Sequence, residues 1–144
     1  MHTTKKQIKI SAPASKVMKF ISDPKNMAIV IPNVIRNYNI SKMKPGAGFS
    51  FDWEFSMVGI PFSGKWKIIE YEFPKKYVAE TKGMISSKWT YIFSERNDIT
   101  TWKAMVEYEA PKQAITKLAE KVLIKMNEKD LERFLHNVKV ILEQ

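Results

Sequence analysis

The sequence predicts an α+β domain: a seven-stranded antiparallel sheet, two short helices between its first and second strands, and a long C-terminal helix. Three observations carry this. Residues 49–57 alternate without exception, with Phe49, Phe51, Trp53, Phe55 and Met57 set against Ser50, Asp52, Glu54 and Ser56, the period of a strand with one dry face. Residues 112–143 contain neither Gly nor Pro and are rich in Lys, Leu, Glu and Ala, all strong helix formers. Between these segments the strand-like runs are joined by short links, and short links impose antiparallel hairpins.

Taken in order, residues 3–10 form a first short strand, with Ile8 and Ile10 flanking Lys9. The period then changes. From Pro13 onward Val17, Phe20 and Ile21 recur at helical spacing while Lys16 and Lys19 face away, and Asp23-Pro24 stops the run. Asp23 caps a second helix with Pro24 as its first residue, Met27 and Val30 inside it, and an end before Pro32. Residues 34–43 are rich in β-branched and aromatic side chains and make the second strand, closed by the turn cluster Lys44-Pro45-Gly46-Ala47-Gly48. After the third strand, Gly59-Ile60-Pro61 turns the chain into a fourth, whose apolar face holds Phe62, Trp66 and Ile68. Beyond Ile68 the alternation slips to Ile69, Tyr71 and Phe73, which signals a bulge or a two-sided strand end. A fifth strand spans residues 77–84, a sixth carries Trp89, Tyr91 and Phe93, and a seventh alternates Trp102, Ala104, Val106 and Tyr108 with polar or outward residues. The final helix carries an apolar stripe of Ile115, Leu118, Ala119, Val122, Met126, Leu131, Phe134, Leu135, Val138 and Leu142, interrupted near Asn127 and Asp130.

The chain of 144 residues has the size of one domain, residues 1–144, and no repeat or linker divides it. Its 44% hydrophobic and 27% charged content is that of a globular protein rather than a disordered one. With no Cys, disulfide frameworks, thiolate metal sites and cysteine nucleophiles are excluded. No stretch approaches the roughly 20 apolar residues of a spanning helix, and the N-terminal residues lack a signal-peptide core, so the expectation is a soluble, cytoplasmic protein. A net charge of +9 favours anionic surroundings. Only three of the basic residues, Arg36, Arg96 and Arg133, are arginine, which argues against sequence-specific nucleic-acid recognition, where bidentate Arg contacts dominate.

The order of elements and the local residues resemble the START-like or SRPBCC superfamily of polyketide cyclase/dehydrase-like and lipid-transfer proteins. Ser11-Ala12-Pro13-Ala14-Ser15-Lys16-Val17 followed by Phe20-Ile21-Ser22-Asp23-Pro24 is similar to that family's opening, and Ile31-Pro32-Asn33-Val34 to its approach to the second strand. In that second stretch the resemblance is greatest to members like the G-type component of carbon monoxide dehydrogenase and to coenzyme Q-binding-like members. Asp98-Ile99-Thr100-Thr101 and Tyr108-Glu109-Ala110-Pro111 match the punctuation of the family's last strand. The resemblance implies a helix-grip fold, in which the curved sheet wraps around the C-terminal helix and a cavity lies between them. The chain departs from many relatives in having Ile31, not an aromatic residue, before Pro32.

All four tryptophans fall on the apolar parity of their strands. The expected ligand-binding wall is therefore Phe51, Trp53, Phe55, Trp66, Trp89, Tyr91, Trp102 and Tyr108, with Leu118, Ala119, Val122 and Met126 as the lid. The same residues equally describe a fully packed core, since large aromatic side chains are what a small domain buries for stability. The first functional reading is a binding protein for a small hydrophobic or amphipathic molecule such as a lipid, quinone or polyketide-like compound. The second is a cyclase or dehydratase in the same cavity, with Tyr91, Tyr108 or Asp130 moving a proton. No catalytic constellation supports the second: Asp52 and Glu54 share the wet face of their strand, and no nucleophile elbow appears. His2 and His136 lack companions, so no metal is expected, and Gly46-Ala47-Gly48 is not a dinucleotide fingerprint, so no cofactor is expected either. Lys117, Lys121, Lys125, Lys129 and Arg133 recur every fourth residue. They form either a solvated helix face or a ribbon for weak contact with an anionic membrane surface or an acidic protein.

Overall fold

The computed structural model describes residues 1–57, 59–109 and 117–144. Its elements follow the expected order: β1 (His2–Ile10), α1 (Ala14–Ile21), α2 (Pro24–Val30), β2 (Val34–Tyr38), β3 (Ser50–Met57), β4 (Ile60–Glu72), β5 (Lys76–Gly83), β6 (Ser87–Arg96), β7 (Ile99–Tyr108) and α3 (Lys117–Leu142). One seven-stranded sheet runs β1-β7-β6-β5-β4-β3-β2, every pair antiparallel. Because β1 joins β7, the first strand lies beside the last, and the two helices between β1 and β2 cross from one edge of the sheet to the other.

Local chemistry explains the element ends. Asp23 accepts a hydrogen bond from the Lys25 backbone N–H at 2.9 Å and so caps α2, whose first residue is Pro24. The slip expected after Ile68 is a register shift between Ile68 and Glu70 against β5. Two boundaries differ from expectation. β2 stops at Tyr38 instead of reaching Met43, because Asn39 adopts φ 50°, a left-handed conformation that ends a strand, and its side-chain N–H donates to Asp52 at 2.7 Å. The predicted start of the last helix near Lys112, together with Ala110, Pro111 and Ile115, lies outside the described residues.

The core lies between the inward sheet face, α1 and α2, and the C-terminal half of α3. Val17, Met18 and Ile21 of α1, Met27 and Val30 of α2, and Leu131, Phe134, Leu135, Val138 and Leu142 of α3 are all buried. α3 is held on both flanks. Towards β1, Lys139 Nζ donates to the Lys9 carbonyl at 2.7 Å and the Ser11 N–H donates to Glu143 at 2.8 Å. Towards the α2 corner, the Asn137 side chain donates to the Val30 carbonyl at 3.0 Å and Asn33 to Asp130 at 2.8 Å. The sheet is pinched at one point, where Gly64 of β4 pairs with Gly83 of β5. A Cβ on Gly64 would lie 2.7 Å from the Lys82 carbonyl oxygen, a main-chain clash, so this glycine lets the two backbones approach, whereas the Trp53 indole nitrogen at 3.5 Å would be an ordinary contact.

Candidate functional site

Strand parity turns the residues named for the aromatic wall to the inward face of the sheet. Phe51, Trp53, Trp66, Trp89, Tyr91, Trp102 and Tyr108 are buried and Phe55 is half-buried. All of these rings but Tyr108, which meets His2 instead, form one continuous cluster. Trp66 lies 5.8 Å from Phe51, 5.2 Å from Trp53 and 5.1 Å from Trp89, and Tyr91 lies 5.4 Å from Trp102. Edge-to-face arrangements dominate, as ring quadrupoles favour. Two indoles find polar partners: Trp66 Nε1–H donates to the Tyr77 hydroxyl at 2.9 Å and Trp89 Nε1–H to Ser87 Oγ at 2.9 Å. Burial pushes the Tyr77 and Tyr91 hydroxyls far above the ordinary phenol range. The Tyr91 hydroxyl and the Trp102 indole N–H have no partner among the described residues.

The expected lid requires correction. Leu118 is 74% exposed, Val122 is 42% exposed, Ala119 is also exposed and Met126 is half-buried. At about 100° per residue, Leu118 and Val122 sit roughly 160° and 120° around the helix from Phe134, whereas Leu123 sits only about 20° away. Spacings of three, four and five residues had merged two arcs of α3 into one stripe. The arc that closes over the sheet carries Leu123, Leu131 and Phe134, all buried. Phe134, the only Phe, Tyr or Trp in α3, plugs the wall: it meets Trp102 edge-on at 5.2 Å, Tyr91 at 6.1 Å and Trp89 at 6.4 Å. Its being the lone aromatic of a long helix was the signal available in the sequence.

Beside that plug remains a pocket of about 20 Å³, bounded by Ile31, Trp89, Val106, Asn127, Asp130, Leu131 and Phe134. It has room for about one water molecule. Two polar groups of α3 border it. The buried Asn127 Oδ1 has no partner among the described residues. Asp130 is half-buried, and desolvation raises its carboxyl above the ordinary 3.8, opposed by the Asn33 amide and the Arg133 charge. Of the three side chains considered for proton transfer, Asp130 borders this pocket, while Tyr91 and Tyr108 are buried in the wall and do not line it.

A carboxyl whose native pKa exceeds its unfolded value binds its proton more tightly when folded. Stability then falls as pH rises from 3.8 through the raised native value, and the full penalty is present above it. Asp130→Asn keeps an oxygen to accept from Asn33 and removes the charge. It is expected to be at least as stable as the parent chain at neutral pH, with the difference closing on acidification to about pH 3. Urea melts at both pH values check this; a variant clearly less stable at neutral pH would show that the charged hydrogen bond to Asn33 outweighs desolvation.

A curved antiparallel sheet closed by a C-terminal helix, with two short helices between its first and second strands, defines a START-like protein of the helix-grip fold. The chain belongs to the polyketide cyclase / dehydrase and lipid transport family, whose model matches residues 1–143. No curated protein matches the sequence. Among solved structures, the protein TTHA0849 from Thermus thermophilus is similar at TM-score 0.82 and 16% identity, over 96% of this chain and 94% of that one. A START superfamily protein from Mycobacterium smegmatis gives TM-score 0.79 at 11% identity, over 100% and 99% of the two chains. The di-domain ARO/CYC BexL of the BE-7585A biosynthetic pathway gives 0.74 at 14% identity, with 99% of this chain covering 50% of that one. At these identities the structural likeness is one of fold. No helix among the described residues is long and apolar enough to cross a membrane.

Proposed function

We propose that this protein binds a small hydrophobic or amphipathic molecule, such as a lipid, quinone or polyketide-like compound, between the sheet and the N-terminal half of α3. The observation that carries the reading is the uneven anchorage of α3. Residues 131–142 bury five side chains, Leu131, Phe134, Leu135, Val138 and Leu142, whereas residues 117–130 bury Leu123 alone. The small pocket with its partnerless Asn127 oxygen lies at the boundary between these halves. A segment with few buried contacts opens at low cost, so a ligand enlarges the pocket by lifting the first half of α3 while the second half stays seated. Trp89 and Trp53, 6.1 Å apart and edge-on, supply the apolar wall, and Asn127 and Asp130 orient one polar group of the ligand. Phe51, Phe55, Trp66, Tyr91 and Trp102 back that wall through their ring contacts. The family and fold are compatible with this role. The exposed ribbon Lys117, Lys121, Lys125, Lys129 and Arg133 suits weak docking on an anionic membrane surface during loading.

Titration with 1-naphthol and naphthalene, followed by tryptophan quenching, tests this site. Both should quench, and Asn127→Leu should weaken 1-naphthol by about two- to tenfold, the worth of one hydrogen bond, while sparing naphthalene. Native mass spectrometry of protein purified from its host should also show a co-purifying hydrophobe. The absence of both quenching and a bound molecule would end the binding reading. One observation favours cyclase or dehydratase chemistry as a second reading: the Asp130 carboxylate borders the pocket, where it can take a proton from a bound ligand, and the desolvation that raises its pKa makes it a stronger base. Turnover that vanishes in Asp130→Asn while ligand binding persists would select it.

A further inference from the structure

A second concavity, on the side of α1 and the β4–β5 turn, shares no residue with the Asn127 pocket. It is a groove of about 760 Å³, within the roughly 300–1,000 Å³ usual for small-molecule sites. Phe20 of α1, Phe49 at the approach to β3 and Phe73 beyond β4 give it an apolar lining, and Phe73 is 50% exposed there. Its polar lining groups are already engaged. Ser22 Oγ donates to the Met18 carbonyl at 2.6 Å and meets the Tyr71 hydroxyl at 3.1 Å, Asn26 donates to the Phe20 carbonyl at 3.0 Å, and Asp23 is held as the cap of α2. The exceptions are Lys16, Lys19 and Lys44, exposed on the rim, none of which forms an ion pair with a described residue.

We propose that this groove binds a single-chain anionic amphiphile of the fatty-acid class, its acyl chain along Phe20, Phe49 and Phe73 and its carboxylate among Lys16, Lys19 and Lys44. Ser22 and Tyr71 bond each other, and Asn26 and Asp23 are tied to nearby backbone, so the apolar rings dominate the floor and favour burial of an alkyl chain. Three unpaired cations against one engaged carboxylate set the sign of the head group. A concave groove fits one chain, whereas a bilayer surface would meet only its rim. The proposal stands independently of the binding reading at Asn127.

Decanoate and 1-decanol, titrated into the full chain and followed by amide NMR, test it. Decanoate should bind at one equivalent, with shifts centred on residues 16–26, 44–49 and 71–73. The triple substitution Lys16→Gln, Lys19→Gln and Lys44→Gln, all on exposed side chains, should weaken decanoate by roughly tenfold and leave 1-decanol unchanged. Equal decanoate affinity in the two proteins would overturn the proposal. So would the absence of binding, shifts centred on Trp89 and Asn127 instead, or lysine-dependent binding seen only with phosphatidylglycerol vesicles.

Discussion

Replacing Phe134 with alanine is expected to lower the free energy of unfolding by about 3–5 kcal/mol, the usual cost of a Phe→Ala truncation in a packed core. The ring is 1% exposed and is the one aromatic side chain through which α3 touches the wall, at Trp102, Tyr91 and Trp89. Its removal takes away apolar burial and leaves a void, since the neighbouring rings belong to a hydrogen-bonded sheet and cannot collapse inward together. The void would merge with the adjacent pocket at Leu131 and Val106, so this variant should also gain affinity for benzene or naphthalene and be restabilised by them in proportion to their concentration. Urea melts with and without naphthalene measure both effects. A loss under about 1 kcal/mol would mean that the helix does not lean on this ring and would contradict the packing of α3 on the wall.

Gly83→Ala should destabilise by about 2–4 kcal/mol, because backbone strain and overpacking act at the same atom. A Cβ there would stand 2.5 Å from the Ser63 carbonyl oxygen and 2.7 Å from the Gly64 Cα, both main-chain atoms of the paired strand, and the residue has φ +155°. Neither obstacle can rotate away as a side chain could. The strands must separate, and Trp53, whose indole rests beside Gly64, loses its seat. Gly46→Ala serves as the control, since its Cβ would meet only the Lys44 carbonyl oxygen at 3.9 Å, an ordinary contact, and it should shift stability by less than about 0.5 kcal/mol. If the two variants melted alike, the pinch between β4 and β5 would not constrain the sheet.

Much of this fold was legible because strand parity is local. Each of the four tryptophans could be placed on the inward face from its immediate neighbours, and each is buried there. The Asp23-Pro24 helix start and the slip after Ile68 were equally local, depending on one side-chain cap and one break in alternation. The lid was not legible. A stripe with irregular spacing along 26 helical residues does not state which arc faces a sheet, and Leu118 and Val122 proved to lie on the wrong one. The groove at Lys16, Lys19 and Lys44 was also invisible, because its walls come from α1, the β2–β3 loop and the far end of β4, distant in the chain.

By itself the amino-acid order determined which side of each strand is dry, where the two short helices begin and end, and that a long helix must cover an aromatic face. Only the tertiary structure decided how far that face is filled: Phe134 packs against Trp89, Tyr91 and Trp102 beside a pocket of about 20 Å³, one oxygen of Asn127 stays partnerless among the described residues, and the first half of α3 buries Leu123 alone while Glu120 and Asp130 tie it to His2 and Asn33. The difference is physical. Periodicity and capping act between residues a few positions apart, while a void is what remains after side chains from remote segments have met, and its size depends on their distances rather than on their identities.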